Sequence, residues 1–300
     1  MKTSNIAFVT RITLAVLLCA LSPLLARAQV YINDSTSVSE YTYAGGFVRT
    51  VVSTGLSTAD NLTFGADGLL YVADDTAGAV KKFNPDTGAF LGNVITGLNR
   101  CTTCKFGPDG NLYVSEYNKN RVLKVNSATG SILQAYTGVT AALGLQFMAG
   151  GDLLATEGLG SSNIRRINTT TGAISSFYAS ANIADVHLLP NGGYAVTDRS
   201  GSQLHRLSAT GSLIGDFSAT SPGGPYFMDN TASTLYVGSG TGGVSRYDIN
   251  TGAYLGGFGS NGSTGVAIRS SATAVPEGSA LMLALSAASV VGGVVLRRRQ

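Results

Sequence analysis

The 300-residue chain has no tryptophan, two histidines, three cysteines, seven prolines and only 12% charged side chains. Two histidines and three cysteines are too few for a histidine-rich metal protein or a disulfide-dense scaffold. So little charge beside 44% apolar content excludes a disordered chain and a coiled coil. No Gly-x-Ser-x-Gly elbow, phosphate loop or His-Glu-x-x-His pair occurs, so the commonest hydrolase, nucleotide and zinc-protease signatures are missing. What abounds is glycine, 39 residues, with 13 tyrosines and 11 phenylalanines. This is the vocabulary of strands joined by tight turns.

A net charge of +3 suggests a basic protein until the charges are located. Lys2, Arg11 and Arg27 stand in the first 28 residues and Arg297, Arg298 and Arg299 at the other end. Residues 29–275 carry 14 Lys and Arg against 16 Asp and Glu, a balance of −2. No basic stripe is left to displace counterions from a phosphate backbone, so nucleic acid is not an expected partner. Lys2 and Arg11 without an acid, an apolar run Ile12–Leu25 and Ala26-Arg27-Ala28 before Gln29 read as a secretory signal peptide over 1–28. Cys19 within that run leaves lipid attachment as the alternative. Ser279–Leu296 has no charge over 18 residues. As a helix it would reach about 27 Å, enough to cross hydrocarbon. Three arginines then hold its end in the cytoplasm and the body outside.

Val275-Pro276-Glu277-Gly278, the apolar span and Arg297–Arg299 together resemble the PEP-CTERM sorting signal of Gram-negative bacteria that export polysaccharide. The resemblance implies a temporary membrane anchor over 279–296 within a tail of 272–300. It also implies an exosortase-type processing protease as partner, and release to the cell surface or matrix. A plain C-terminal membrane anchor is the other reading of the same residues.

Between these ends the chain repeats. Thr-Gly pairs fall at Thr87, Thr129, Thr171, Thr210 and Thr251, spaced 42, 42, 39 and 41. Leu70-Tyr71-Val72, Leu112-Tyr113-Val114 and Leu235-Tyr236-Val237 share that period, as does an apolar register of Phe64, Phe106, Phe147, Leu188, Phe227 and Ile268. Each period holds four short β-type runs between Asp-Gly, Asn-Gly or Thr-Gly turns. In the second repeat they are 104–107, 112–115, 121–125 and 132–136. Four strands in about 41 residues make a propeller blade, which must stack radially to bury its faces. The first strand occurs six times, the last copy at Val266–Arg269. The strands missing after it are found at the other end, where Val30–Asp34 matches Leu70–Asp74 and Phe47–Val52 matches Phe90–Ile95. The expectation is an all-β propeller of six four-stranded blades over 29–271, its last blade completed by N-terminal strands that remove an open edge.

Phe106-Gly-Pro-Asp-Gly-Asn-Leu-Tyr-Val-Ser-Glu116 and Phe64-Gly-Ala-Asp-Gly-Leu-Leu-Tyr-Val-Ala-Asp74 resemble the repeats of NHL and SMP-30 type six-bladed propellers. That class includes lactonases, lyases and scaffolds without chemistry, so function has to come from the site.

Five blades carry a carboxylate just after the second strand: Asp34, Asp74, Glu116, Glu157 and Asp198, with Ser239 in the sixth. Together with Arg100 they mark the face on which the second-to-third and fourth-to-first loops open. There they read either as a ligand-binding ring for a cation or sugar hydroxyls, or as caps for their own loops. Residues that break the repeat are the sharper clues. Asp60, Asn61 and Asp185 at the start of first strands form a thin oxygen cluster for calcium or magnesium. The channel-facing register in the middle of those strands reads Thr63, Lys105, Gln146, His187, Tyr226 and Ala267. Streptogramin lyases, another propeller family, use a histidine with a magnesium ion, so resemblance makes His187 with Asp185 the enzymatic candidate. The alternative is a packed histidine. His205 is expected to be structural. Cys101 and Cys104, the pair left after signal removal, read as a local disulfide in an oxidising compartment. The leading functional expectation is a non-catalytic exported propeller that binds an extracellular polysaccharide or a surface protein. A metal-assisted lyase or lactonase and a self-assembling surface-layer component are the alternatives.

Overall fold

The computed structural model describes residues 29–158, 163–180, 182–218, 223–259, 262 and 264–269. The signal segment, Pro276, Glu277, the 279–296 span and Arg297–Arg299 lie outside the described residues. Among the described residues no helix is long and apolar enough to cross a membrane.

Among the described residues twenty-four strands form six antiparallel four-stranded sheets. Blades 1 to 5 run over residues 59–95, 101–137, 142–179, 183–216 and 225–258. Blade 6 joins Val266–Arg269 to three strands within 29–52. At this seam Gln29 pairs with Arg269, Tyr31 with Ala267 and Ile32 with Val266. Each inner strand packs against the next, and that of blade 6 touches blades 5 and 1, so the ring closes. The six-bladed, seam-closed propeller expected from the repeats is the observed fold.

Burial falls from the axis outward, as radial stacking demands. The second strands of blades 1 to 4 are buried along their whole length, while Phe90, Ile132, Leu213 and Tyr254 on outer strands are exposed. Neighbouring blades are stapled by a repeated aromatic contact. Tyr31, Tyr71 and Tyr113 each stand edge-on to the next blade's Phe64, Phe106 and Phe147, with centroids 5.0, 4.8 and 4.9 Å apart. Each such pair contributes about 1 kcal/mol beyond the area it buries.

The start of the inner strand is where the fold makes room for a site. In blades 1 to 5 an extra residue is bulged there, which leaves backbone groups without a ladder partner. The preceding blade supplies one. Asn33 Nδ2 donates to Ala59 O at 2.5 Å across the seam, Ser115 Oγ to Leu143 O at 2.8 Å and Thr156 Oγ1 to Ala184 O at 2.8 Å. In blades 1, 3 and 4 a bulge carbonyl is thereby paired, and the side chains of the bulge are free to vary.

Two expectations need correcting. The inner strand of blade 2 starts at Cys101 rather than Cys104, because the β-branched Thr102 and Thr103 continue it and are themselves buried. Its two thiols are free and buried, not joined. Cys101 pairs with Glu116 and Cys104 with Val114. The cysteines are thus two ladder steps apart on one extended strand, roughly 7 Å, at the upper limit of the disulfide range.

Candidate functional site

The carboxylate ring is spent on the scaffold. Asp74 is 0% exposed, Glu116 1% and Glu157 1%. Asp74 accepts from Ser57 N and Thr58 N of the preceding loop and from Lys81 Nζ at 2.7 Å. Glu116 accepts from Asn99 N and, at 2.5 Å, from Arg121 Nε. Glu157 takes Thr140 N and Asn163 Nδ2. Burial alone would raise Asp74, yet Lys81 and the two loop N–H groups outweigh it and hold its carboxyl below the ordinary range. Glu157 is lowered in the same way against burial, by Thr140 N–H, Arg165 and Asn163. Asp34 caps Thr36 and Ser37, Asp198 caps Ser200 and Gly201, and Ser239 Oγ donates to Gly223 O. Their oxygens accept from nearby loops, the arrangement of the capping alternative.

Below the mouth, the channel holds a polar cluster that differs from the expected register. Asp229, not Tyr226, pairs with Tyr236 at the height where His187 pairs with Ala195. Blade 5 has Asn230-Thr-Ala-Ser-Thr234 where other blades have a glycine-rich hairpin. The inner strand of blade 5 is therefore offset by three residues from the register expected for Tyr226. Phe227 moves for the same reason to the mouth, and Asn230 takes its place in the apolar register. His187 Nε2 donates to Asn230 Oδ1 at 2.5 Å and lies 3.5 Å from Asp229 Oδ1. Its Nδ1 is buried without a partner among the described residues. The residue is 5% exposed. Burial first, then the Lys105 ammonium, pushes the imidazole down to about 4, against the pull of Asp229. At neutral pH it is uncharged.

Asp185 is brought near this cluster, and Asp60 is not in contact with it. Burial pushes Asp185 up to about 7, against Lys105 and the N–H groups of Met228 and Val186. Its Oδ2 accepts from Met228 N at 2.9 Å. Gly144 has no side chain because a Cβ there would occupy the place of Asp185 Oδ1. The cavity bounded by Asn61, Lys105, Asp185 and Asp229 has a volume of about 20 Å³, room for one water. Its oxygens are engaged: Asn61 Oδ1 by Leu62 N, and Asp229 Oδ1 and Oδ2 by Asn230 N and Ile268 N. A calcium or magnesium shell needs six or more free oxygens, and no group of three His, Cys, Asp or Glu converges among the described residues. These donors do not fit such a cation. His205 is structural as expected, its Nδ1 2.6 Å from Asp216 Oδ1.

The mouth above is a different environment. In blade 2, Arg100 lies over the ring of Tyr117 at 4.5 Å and pairs with Asp75 of blade 1 at 3.0 Å. In blades 4 and 5, Arg199 lies over Tyr226 at 4.1 Å. Both tyrosines pack against one apolar floor, Leu143, Ala184 and Phe227. The chain places these groups by a repeated device. Tyr117 N, Gly158 N, Arg199 N and Gly240 N donate to the backbone oxygens of Arg100, Ala141, Asn182 and Gly224. Those four acceptors all have positive φ, from 48 to 72°. The backbone repeats while the side chains do not. Gly158 leaves space for the aromatic group, since a Cβ there would meet Tyr117 Cε2 at 2.8 Å and Ala141 O at 2.9 Å. Asp60, half-buried at the same level, is pushed up to about 7 by burial and then by Asp75, against Arg100 and Arg199.

Of the residues singled out from sequence, Arg100 and Asp60 belong to this mouth. Tyr117 and Arg199 are not among the residues that sequence reasoning selects, and Tyr226, expected in the channel register, lies at the mouth instead. Tyr117 and Arg199 each stand directly after a ring carboxylate, and their departure from the repeat is the signal that could have found them.

No family model and no curated protein matches the chain. Solved structures do. A chain of the nidogen/laminin complex aligns with TM-score 0.72 at 11% identity, over 80% of this chain and 98% of that one. A Bacteroides caccae protein of unknown function aligns at 0.64 and 14%, over 81% and 99%. Virginiamycin B lyase from Staphylococcus aureus aligns at 0.57 and 17%, over 75% and 83%. At these identities the likeness is one of fold.

Proposed function

We propose that the protein is an exported, non-catalytic binding propeller that takes a glycan of the extracellular matrix on the mouth of its channel. One observation carries this reading: two tyrosines from different blades, each backed by a guanidinium, flank an apolar floor. Flat rings held rigid by cation–π contact offer stacking surface at little entropic cost, and planar N–H donors beside them suit sugar oxygens. Export itself rests on the terminal segments of the sequence. The test is equilibrium binding of matrix polysaccharide oligomers to the full chain solubilised in detergent. Tyr117→Ala and Tyr226→Ala should each weaken binding about tenfold, with the melting temperature changed little. Binding that survives both substitutions would place the ligand elsewhere.

A lyase is the second reading, favoured by the structural likeness to virginiamycin B lyase and by the His187–Asp229 approach. Against it, His187 is only 5% exposed. Turnover of a lactone or streptogramin that disappears in His187→Ala would make the protein an enzyme.

A further inference from the structure

Arg199 is unlike the other charged groups of the mouth. Arg100 is matched by Asp75, but among the described residues no carboxylate lies within salt-bridge distance of Arg199. Its Nε is buried and has no hydrogen-bond partner among the described residues. Tyr226 holds the guanidinium plane at 4.1 Å, so the side chain is oriented without being neutralised. A half-buried, flat, unpaired guanidinium with an unsatisfied donor is a receptor for a planar anion, which it can grip by two parallel N–H bonds. An orphaned buried donor is costly unless something accepts from it. Beside it lie aromatic surface and an apolar floor, which suit a ring rather than a bare inorganic ion.

We propose that the ligand of the mouth is an anionic sugar, a uronate, whose carboxylate is taken by Arg199 while its ring rests on the Tyr226 and Tyr117 side. This rests on the glycan-binding reading above and narrows it. The charged groups around Asp60 are Asp74 and Asp75 of its own blade, Arg100 of blade 2 and Arg199 of blade 4, and its charge reaches the buried Cys101 thiol. When Asp60 is ionised it competes with an incoming carboxylate for the field of Arg199 and Arg100. Once Asp60 is protonated, that competition ends. With its carboxyl held near neutrality by burial, the change falls between pH 8 and 6.

The experiment uses the full chain in detergent with short oligomers of galacturonate, mannuronate and glucuronate, each beside its neutral methyl ester, at pH 6 and pH 8. A uronate should bind at least tenfold tighter than its ester, and roughly three- to tenfold tighter at pH 6 than at pH 8, the size of one added charge in a partly screened site. Arg199→Gln should abolish the preference for the acid, and Arg199→Lys, which keeps the charge but not the fork, should restore only part of it. Asp60→Asn should bind as tightly at pH 8 as the unaltered protein does at pH 6. Equal binding of acid and ester overturns the anionic assignment and leaves the mouth as a glycan site, and binding of no oligomer overturns both. An Asp60→Asn protein that keeps the full pH dependence overturns the role of Asp60.

Discussion

Two registers run side by side around the loop face of this propeller, one residue apart in sequence, and they behave in opposite ways. Asp74, Glu116, Glu157 and Asp198 obey the repeat and are consumed by it, each capping loop N–H groups of its own blade. The residues that follow them, Asp75, Tyr117, Gly158 and Arg199, share one backbone hydrogen bond but no chemistry. The difference teaches where a repeat protein can afford a site. A feature present in every blade is needed by every blade, whereas a position fixed only through its backbone leaves its side chain for other use.

The contrast is open to attack at several points. The largest effect is expected at Glu116→Ala, which strands Arg121 and the Asn99 N–H. It should lower unfolding free energy by about 3 kcal/mol in urea titration, while Tyr117→Ala one residue later should cost about 1 kcal/mol. Equal costs would erase the distinction between the registers. The pH dependence of stability separates them further. Asp74 and Glu157 titrate below their unfolded values, so the stability they contribute is present at neutral pH and is lost as pH falls below about 4. Asp185 has the opposite sign. With its folded value raised to about 7, its contribution is intact below pH 4 and is lost as pH rises toward and through 7. Asp185→Asn should therefore stabilise the protein at pH 8 by about 2 kcal/mol, with the gain vanishing in acid. Thermal melts at pH 4 and 8 check this, and a gain at pH 4 would refute it.

Smaller again is Gly158→Ala, whose methyl must displace the Tyr117 ring or the Ala141 carbonyl. It should cost about 1 kcal/mol and loosen the mouth, visible as weaker ligand binding. The smallest effect is a chemical one. Burial pushes the Cys104 thiol up to about 12 and the Cys101 thiol well above its usual value. Neither should react with maleimide until the protein unfolds. A native mass 2 Da below that of the reduced chain, the mark of a disulfide, would contradict the free pair.

Much of the fold is legible from residue spacing because stacked blades repeat what each must bury. The Tyr31, Tyr71 and Tyr113 series and the Phe64, Phe106 and Phe147 series are one interblade contact written three times. The candidate site was legible only in part. Asp60 and Arg100 stand out by departing from the repeat, but the role of Tyr226 depended on a hairpin whose altered length no periodicity reveals. His187 and Asp185 stand out in the sequence as repeat-breaking polar residues, yet their near-complete burial belongs to the packing of the blades around them.

The number of wedges and the completion of the last one by Val30–Asp34 followed from the order of residues alone, since periodic hydrophobic text has one economical way to hide its faces. Closure of the ring decided the rest. It brought Arg199 onto Tyr226 and set that ring against the cluster of Leu143, contacts between blades that lie up to 83 positions apart in the chain. It also turned the carboxylate ring inward onto its own loops. Spacing along a chain carries local pairing, but which side chains from separate blades meet over the channel is fixed by curvature and by where each bulge aims its residue.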